Sequence, residues 1–169
     1  MNAKRSFLTQ FFPTKVTREC LKLKSRVALA LDDLADLHGL RVLVVDDEED
    51  ARDIVAAMLK HEGAEVETAP SAHDGFELVT RFLPHVLVSD IGMPGEDGYS
   101  FVARVRQLPT QTGGKTPSIA LTAYSSPEDR RRALAAGFDV HLTKPIDLGY
   151  LISVIAKLSQ ASPLAAVQA

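Results

Sequence analysis

Between Arg41 and Leu158 the apolar residues change their spacing repeatedly, from short continuous runs to every third or fourth position. Val42, Leu43, Val44 and Val45 form an unbroken, largely β-branched run, the pattern of a central parallel strand buried on both faces. Ala51, Ile54, Val55, Met58 and Leu59 then recur at helical spacing, and Gly63 is placed to stop that helix. A shorter strand over Ala64 to Thr68 leads to a helix from about Ser71, its N-cap, to Phe82, with Ala72, Phe76, Val79 and Leu83 on one face. His85 to Ser89 reads as a third strand, followed by a helix burying Phe101, Val102, Val105 and Leu108. Pro117 to Leu121 is the fourth strand, and Pro127 suits the first turn of a helix ended by Gly137. Phe138 to Thr143 is the fifth strand, and Leu148, Leu151, Ile152 and Ile155 face inward from a closing helix. Five successive βα units predict an α/β fold, a doubly wound parallel sheet with right-handed crossovers.

Candidate chemistry collects at the strand ends. Asp46-Asp47, Asp90, Thr122 and Lys144-Pro145 each follow or nearly end one of these runs. In a parallel sheet such ends share one edge, and strand order 2-1-3-4-5 places its reversal beside the first and third strands, where the acids lie. Three carboxylates that close repel one another unless a cation offsets them. A hard divalent ion suits such a cluster, and Mg2+ commonly bridges a few carboxylates to phosphate oxygens while keeping several waters. A carboxylate beside magnesium is able to attack phosphorus, and Lys144 and Thr122 are donors for the charge that develops. Glu48, Glu49 and Asp50 read instead as acids favouring a helix N-terminus.

Charge divides the chain. Of 19 Lys and Arg and 22 Asp and Glu, Met1 to Gly39 carries seven bases against four acids, so the remainder is acidic. The first eighteen residues hold Lys4, Arg5, Lys15 and Arg18 with no acid, a composition shared by transit peptides and flexible basic arms. They lack an apolar signal core, and the basic arm is the reading adopted. The single Cys20 excludes an internal disulfide and fits a reducing cytoplasm. No apolar run approaches the roughly 20 residues that span a bilayer. Neither the histidines nor the cysteine shows zinc spacing.

Taken together, Val45-Asp46-Asp47-Glu48, Asp90 through Gly98, Leu121-Thr122-Ala123 and Thr143-Lys144-Pro145 resemble the receiver domain of two-component response regulators. The likeness covers about Leu40 to Leu158, and the stretch Gly137 to Pro145 is most like receivers of hybrid sensor kinases. It implies a flavodoxin-like fold in which Asp90 accepts phosphate from the phosphohistidine of a sensor histidine kinase or histidine phosphotransfer protein. Asp46, Asp47, Asp90 and the Gly92 carbonyl would hold magnesium. Lys144, after a cis peptide before Pro145, would pair with Asp90 and then with the phosphoryl group, and Thr122 would move inward to it. The family's switch position, usually Tyr or Phe, is here His141, which is smaller, polar and pH-sensitive. Gly92 leaves the phosphorus unshielded, while Tyr124 would partly cover it.

The expected organisation is a basic extension over 1–39 with a short helix from Val27 to Leu37, a receiver over 40–158, and a tail over 159–169. Eleven residues after Leu158 are too few for a DNA-binding domain or an enzyme. The expectation is therefore a cytoplasmic, stand-alone receiver, monomeric or weakly dimeric, that is not an enzyme and signals by contact with an unidentified downstream protein. Arg130-Arg131-Arg132 read as a solvated helix face or a contact for an acidic partner. Two alternatives stay open: a haloacid-dehalogenase-like phosphatase, whose Asp-x-Asp arrangement is here Asp46 and Glu48, and a phosphate-independent scaffold with a vestigial site.

Overall fold

The computed structural model describes residues 36–123 and 125–160. The proposed helix from Val27, the tail beyond Gln160 and the shielding role of Tyr124 fall outside the described residues. Strand and helix alternate as β1 (Arg41–Val45), α1 (Glu49–His61), β2 (Glu65–Ala69), α2 (Ala72–Phe82), β3 (Val86–Asp90), α3 (Gly98–Val105), β4 (Ser118–Thr122), α4 (Pro127–Ala136), β5 (Val140–Thr143) and α5 (Leu148–Ser159). A single 3-10 turn, Thr110–Thr112, interrupts the path from α3 to β4. All strand pairs are parallel, in the order β2-β1-β3-β4-β5.

Alternation within the central strands supplies both faces of the sheet. Leu43, Val45, Leu87 and Ala120 pack into one cluster with Val79, Phe101, Val102 and Ala133 of α2, α3 and α4. Val42, Val44, Val88 and Ile119 are buried on the other face, where α1 and α5 touch each other and contribute Val55, Leu59, Leu151, Ile152 and Ile155. Burying a side chain of this size stabilises by about 1.5–3 kcal/mol, so the three continuous strands β1, β3 and β4 carry most of the core. Leu37 is fully buried as well, and its N–H donates to the Glu62 carbonyl at 3.1 Å. Among the described residues, packing thus extends ahead of β1.

Local signals set the helix ends. Ser71 accepts from the Asp74 N–H, and Ser126 forms a reciprocal capping box with Asp129 ahead of Pro127. Gly137 takes a φ of 115° at the end of α4, the left-handed geometry that only glycine adopts without cost. Two residues of the apolar stripes depart from the buried helix faces. Ile54 is 58% exposed, because α1 turns Val55, Ala56 and Leu59 to the sheet and the small Ala56 takes the close position. Leu83 is the left-handed C-cap of α2, and Gly75 and Leu78 join Ala72 and Val79 in its buried face.

Candidate functional site

Register brings the predicted residues to one edge. Val45 pairs with Ser89, so Asp46 stands level with Asp90; Asp90 pairs with Leu121, and Thr122 pairs with Thr143, which puts Thr122 one step and Lys144 two steps further along. Asp46, Asp47, Glu48, Asp90, Gly92, Thr122, Ala123 and Lys144 line one open pocket. Asp46, Asp90 and Thr122 are buried, while Asp47 is exposed at its mouth. His141 lies outside this pocket, half-buried, and lines a separate groove with Arg130, Arg131 and Leu134. Its Nε2 has no hydrogen-bond partner among the described residues.

The centre of the pocket is a bridged carboxylate pair. Lys144 Nζ lies 2.6 Å from Asp90 Oδ1 and 2.9 Å from Asp46 Oδ2. Burial alone would lower the pKa of this ammonium, but the hydrogen bonds and charges of Asp46 and Asp90 outweigh it and hold the pKa above its ordinary value. The sequence predicted the bond to Asp90, and the one to Asp46 is additional. Asp46 Oδ1 accepts from the Glu48 N–H at 2.9 Å, and its carbonyl accepts from Arg52 at 2.7 Å, which ties the first turn of α1 to the end of β1. The second Asp90 oxygen accepts from the Gly92 N–H. The Lys144 N–H donates to the Thr122 carbonyl at 2.7 Å, and the Lys144–Pro145 peptide is cis.

The loop from Asp90 to Gly98 is closed by the Gly98 N–H, which donates to the Ile91 carbonyl at 3.0 Å. A Cβ on Gly98 would stand 2.4 Å from the Asp90 carbonyl oxygen, so only glycine permits this approach. Arg104 grips the same loop through both Glu96 oxygens at 3.1 and 2.7 Å and stacks 4.0 Å over the Phe76 ring. Sequence reading missed this clamp. Its only trace was an acid ahead of α3 and an arginine in the last turn of the same helix.

The donor set suits a hard cation. Two buried carboxylates share one ammonium, leaving a net negative charge, and the exposed Asp47 adds a third carboxylate at the opening. Among the described residues no three His, Cys, Asp or Glu side chains form a ready ligand group. Magnesium requires no such cage, since it takes one or two carboxylates and keeps water for its other positions.

A bridged pair of acids at the carboxyl edge, a lysine from the last strand and a threonine from the fourth are the ordered set singled out in the sequence. The family model of the response regulator receiver domain matches residues 42–156. The chain belongs to the response regulator receiver family. This receiver is similar to the uncharacterized 14.6 kDa protein in the sodA1 3′ region of Leptolyngbya boryana, at 48% identity over 75% of this chain and 95% of that protein. It is 39% identical to the transcriptional regulatory protein TrcR of Mycobacterium tuberculosis, over 76% of this chain and 48% of TrcR. It is 36% identical to hybrid signal transduction histidine kinase D of Dictyostelium discoideum, over 72% of this chain but 8% of the kinase. The receiver therefore spans under half of TrcR and a small part of that kinase.

Solved structures agree on the fold. The receiver domain of Francisella response regulator 1452 superposes with a TM-score of 0.67 at 28% identity, covering 73% of this chain and 98% of that one. The receiver domain of a sensor histidine kinase from Pseudomonas aeruginosa, which has a magnesium ion coordinated in its active-site cleft, gives 0.66 at 27% identity, covering 72% and 98%. No described helix of this receiver is long and apolar enough to cross a membrane.

Proposed function

We propose that this receiver is a phosphorylation switch in which Asp90 accepts a phosphoryl group from the phosphohistidine of a sensor histidine kinase or histidine phosphotransfer protein. The observation that carries the reading is the Asp90 carboxylate itself, held through Oδ1 by Lys144 and through Oδ2 by the Gly92 N–H beside Asp46. An Asp90 oxygen forms the new bond to phosphorus as the phosphorus–nitrogen bond to the donor imidazole breaks, and the departing imidazole takes up a proton. Magnesium, held by Asp46, Asp47, Asp90 and the Gly92 carbonyl, would neutralise phosphoryl oxygens. Lys144 transfers its ammonium from the carboxylate to the phosphoryl group, and the Thr122 hydroxyl donates to another phosphoryl oxygen. The added charge of about −2 then biases the loop that follows β4.

In this reading the receiver works in the cytoplasm as a stand-alone unit over 40–158. The basic extension over 1–39 serves docking or linkage. Output passes by protein contact, with Thr122 and His141 as switching residues. Family membership favours this over the haloacid-dehalogenase-like phosphatase.

Acetyl phosphate with magnesium should give a labile single-phosphate adduct by intact mass, absent from Asp90→Asn and absent when the metal is chelated. An adduct that survives in Asp90→Asn, or none in the wild type with small donors and with a partner kinase, would overturn the reading. Equal partner binding by Asp90→Asn and phosphorylated wild type would instead support a phosphate-independent scaffold.

A further inference from the structure

The three arginines in the middle of α4 are not equivalent. Arg130 and Arg131 line the groove beside His141, whereas Arg132 reaches towards α3. Its guanidinium carbon lies 4.2 Å from the centroid of the Tyr99 ring, and its Nη2 lies 3.9 Å from Asp97 Oδ2. Tyr99 is 9% exposed, and Asp97 is the N-cap of α3, accepting from the Ser100 N–H at 2.8 Å. Both residues stand where the loop that starts at Asp90 runs into α3.

That loop is held unequally on its two flanks. Glu96 is gripped by both nitrogens of Arg104, which also donates to the Ala72 carbonyl at 3.3 Å and so anchors the loop to α2. On the other flank Arg132 offers one ring face and one long ion pair between side chains 66% and 40% exposed. A contact of that kind is weak enough to break and re-form. Its helix is also the one attached to Thr122, because only residues 123–126 separate the end of β4 from Pro127. Displacement of the backbone at Thr122 therefore pulls on α4 and, through Arg132, on the exit of the Asp90 loop.

We propose that Arg132 is a positioning residue that couples α4 to the phosphoacceptor loop through the face of Tyr99, so that the state of Asp90 and the placement of α4 are thermodynamically linked. The coupling is reciprocal, since a change in either site must be felt equally at the other. It rests on the reading of Asp90 as phosphoacceptor. The contact accompanies Lys144 bonded to the Asp90 carboxylate, so its loss favours departure from that arrangement.

The test uses the full chain and beryllofluoride with magnesium, a stable tetrahedral stand-in for the phosphoryl group. Arg132→Ala should bind beryllofluoride roughly two- to fivefold more tightly than wild type, the range expected of an exposed cation–π contact. Arg132→Lys should restore most of the difference, Arg131→Ala should leave affinity unchanged, and Arg132→Ala should add nothing in a Tyr99→Leu background. Phenolate titration reads the contact separately: burial raises the Tyr99 pKa and Arg132 opposes the rise, so Arg132→Ala should raise it further. Unchanged or weakened binding in Arg132→Ala, an equal effect of Arg131→Ala, or an unmoved Tyr99 titration overturns the coupling. Failure of wild type to bind beryllofluoride and to form the acetyl phosphate adduct overturns the phosphoacceptor reading, and the linkage with it; the Tyr99 titration then still shows whether the contact is made.

Discussion

His85 Nδ1 accepts a hydrogen bond from the Arg41 backbone N–H at 2.9 Å, at the edge of the sheet opposite the pocket of Asp46, Asp90 and Lys144. His85 is 1% exposed, and its backbone N–H donates to the Arg41 carbonyl at 2.8 Å, so the residue extends the pairing of β1 and β3 by one rung. Burial first, and then the charge of Arg41, lower its pKa from the ordinary 6.5, with Glu65 opposing. The unfolded chain therefore binds this proton more readily than the folded one. Stability should be level with respect to this group above pH 6.5 and fall as pH drops from there towards the folded-state value. Urea unfolding between pH 7.5 and 5.5 should show the loss in wild type and a smaller one in His85→Gln.

Removing the ammonium from the pocket should expose the repulsion it masks. Lys144→Met leaves Asp46 and Asp90 facing each other without a cation, at a cost of about 1–2 kcal/mol at neutral pH, reduced from the buried-pair range because the site is open. Adding Asp90→Asn to the same chain should recover most of it. In wild type the Lys144 contribution should be complete below its ordinary 10.5 and be lost as pH rises through the higher folded-state value. Denaturant midpoints of the single and double variants check the first statement, and an alkaline series checks the second.

Two glycines of the loop from Asp90 to Gly98 should respond differently to the same methyl group. Gly98→Ala must displace the Asp90 carbonyl, so it should cost more than about 2 kcal/mol and slow adduct formation at Asp90. Gly95 has a φ of 81° and open space around a Cβ, so Gly95→Ala should cost about 1 kcal/mol and leave the adduct rate close to wild type. Thermal unfolding with acetyl phosphate kinetics separates the two outcomes.

Arg106 gathers the far end of the sheet. Its guanidinium donates to the Gly137, Gly114 and Thr116 carbonyls, to Ser118 Oγ and to Asp139 Oδ2. Arg106→Met should cost about 3 kcal/mol by leaving several buried acceptors unpaired, and Arg106→Lys should recover only part because an ammonium cannot span the fork. Calorimetric or urea unfolding of the two variants checks the order.

What the sequence made legible follows from the range over which each signal acts. Strands β1, β3 and β4 are buried on both faces and so appear as unbroken apolar runs, and the helix-end signals at Ser71, Pro127 and Gly137 are written within a few residues. The pocket was legible for the same reason: Asp46, Asp90, Thr122 and Lys144 each sit at a strand end, and parallel topology brings such ends together. Ile54 shares the helical spacing of α1 and is still exposed, because spacing marks an apolar stripe without fixing its rotation, and Val55, Ala56 and Leu59 take the buried face. Arg104 on Phe76, Arg132 on Tyr99 and Arg106 across the far edge join residues distant in sequence. Nothing in their own neighbourhoods distinguishes them from surface arginines.

The lysine that bridges two acids also carries information about assembly. Asp46 and Asp90 sit at the ends of β1 and β3, but Lys144 follows β5, 98 positions beyond Asp46. A growing chain presents both acids long before it can present the ammonium that balances them. On the reading proposed for Asp90, competence to receive the phosphoryl group waits until the last strand has docked, and the charge pair doubles as a certificate that the sheet is fully assembled.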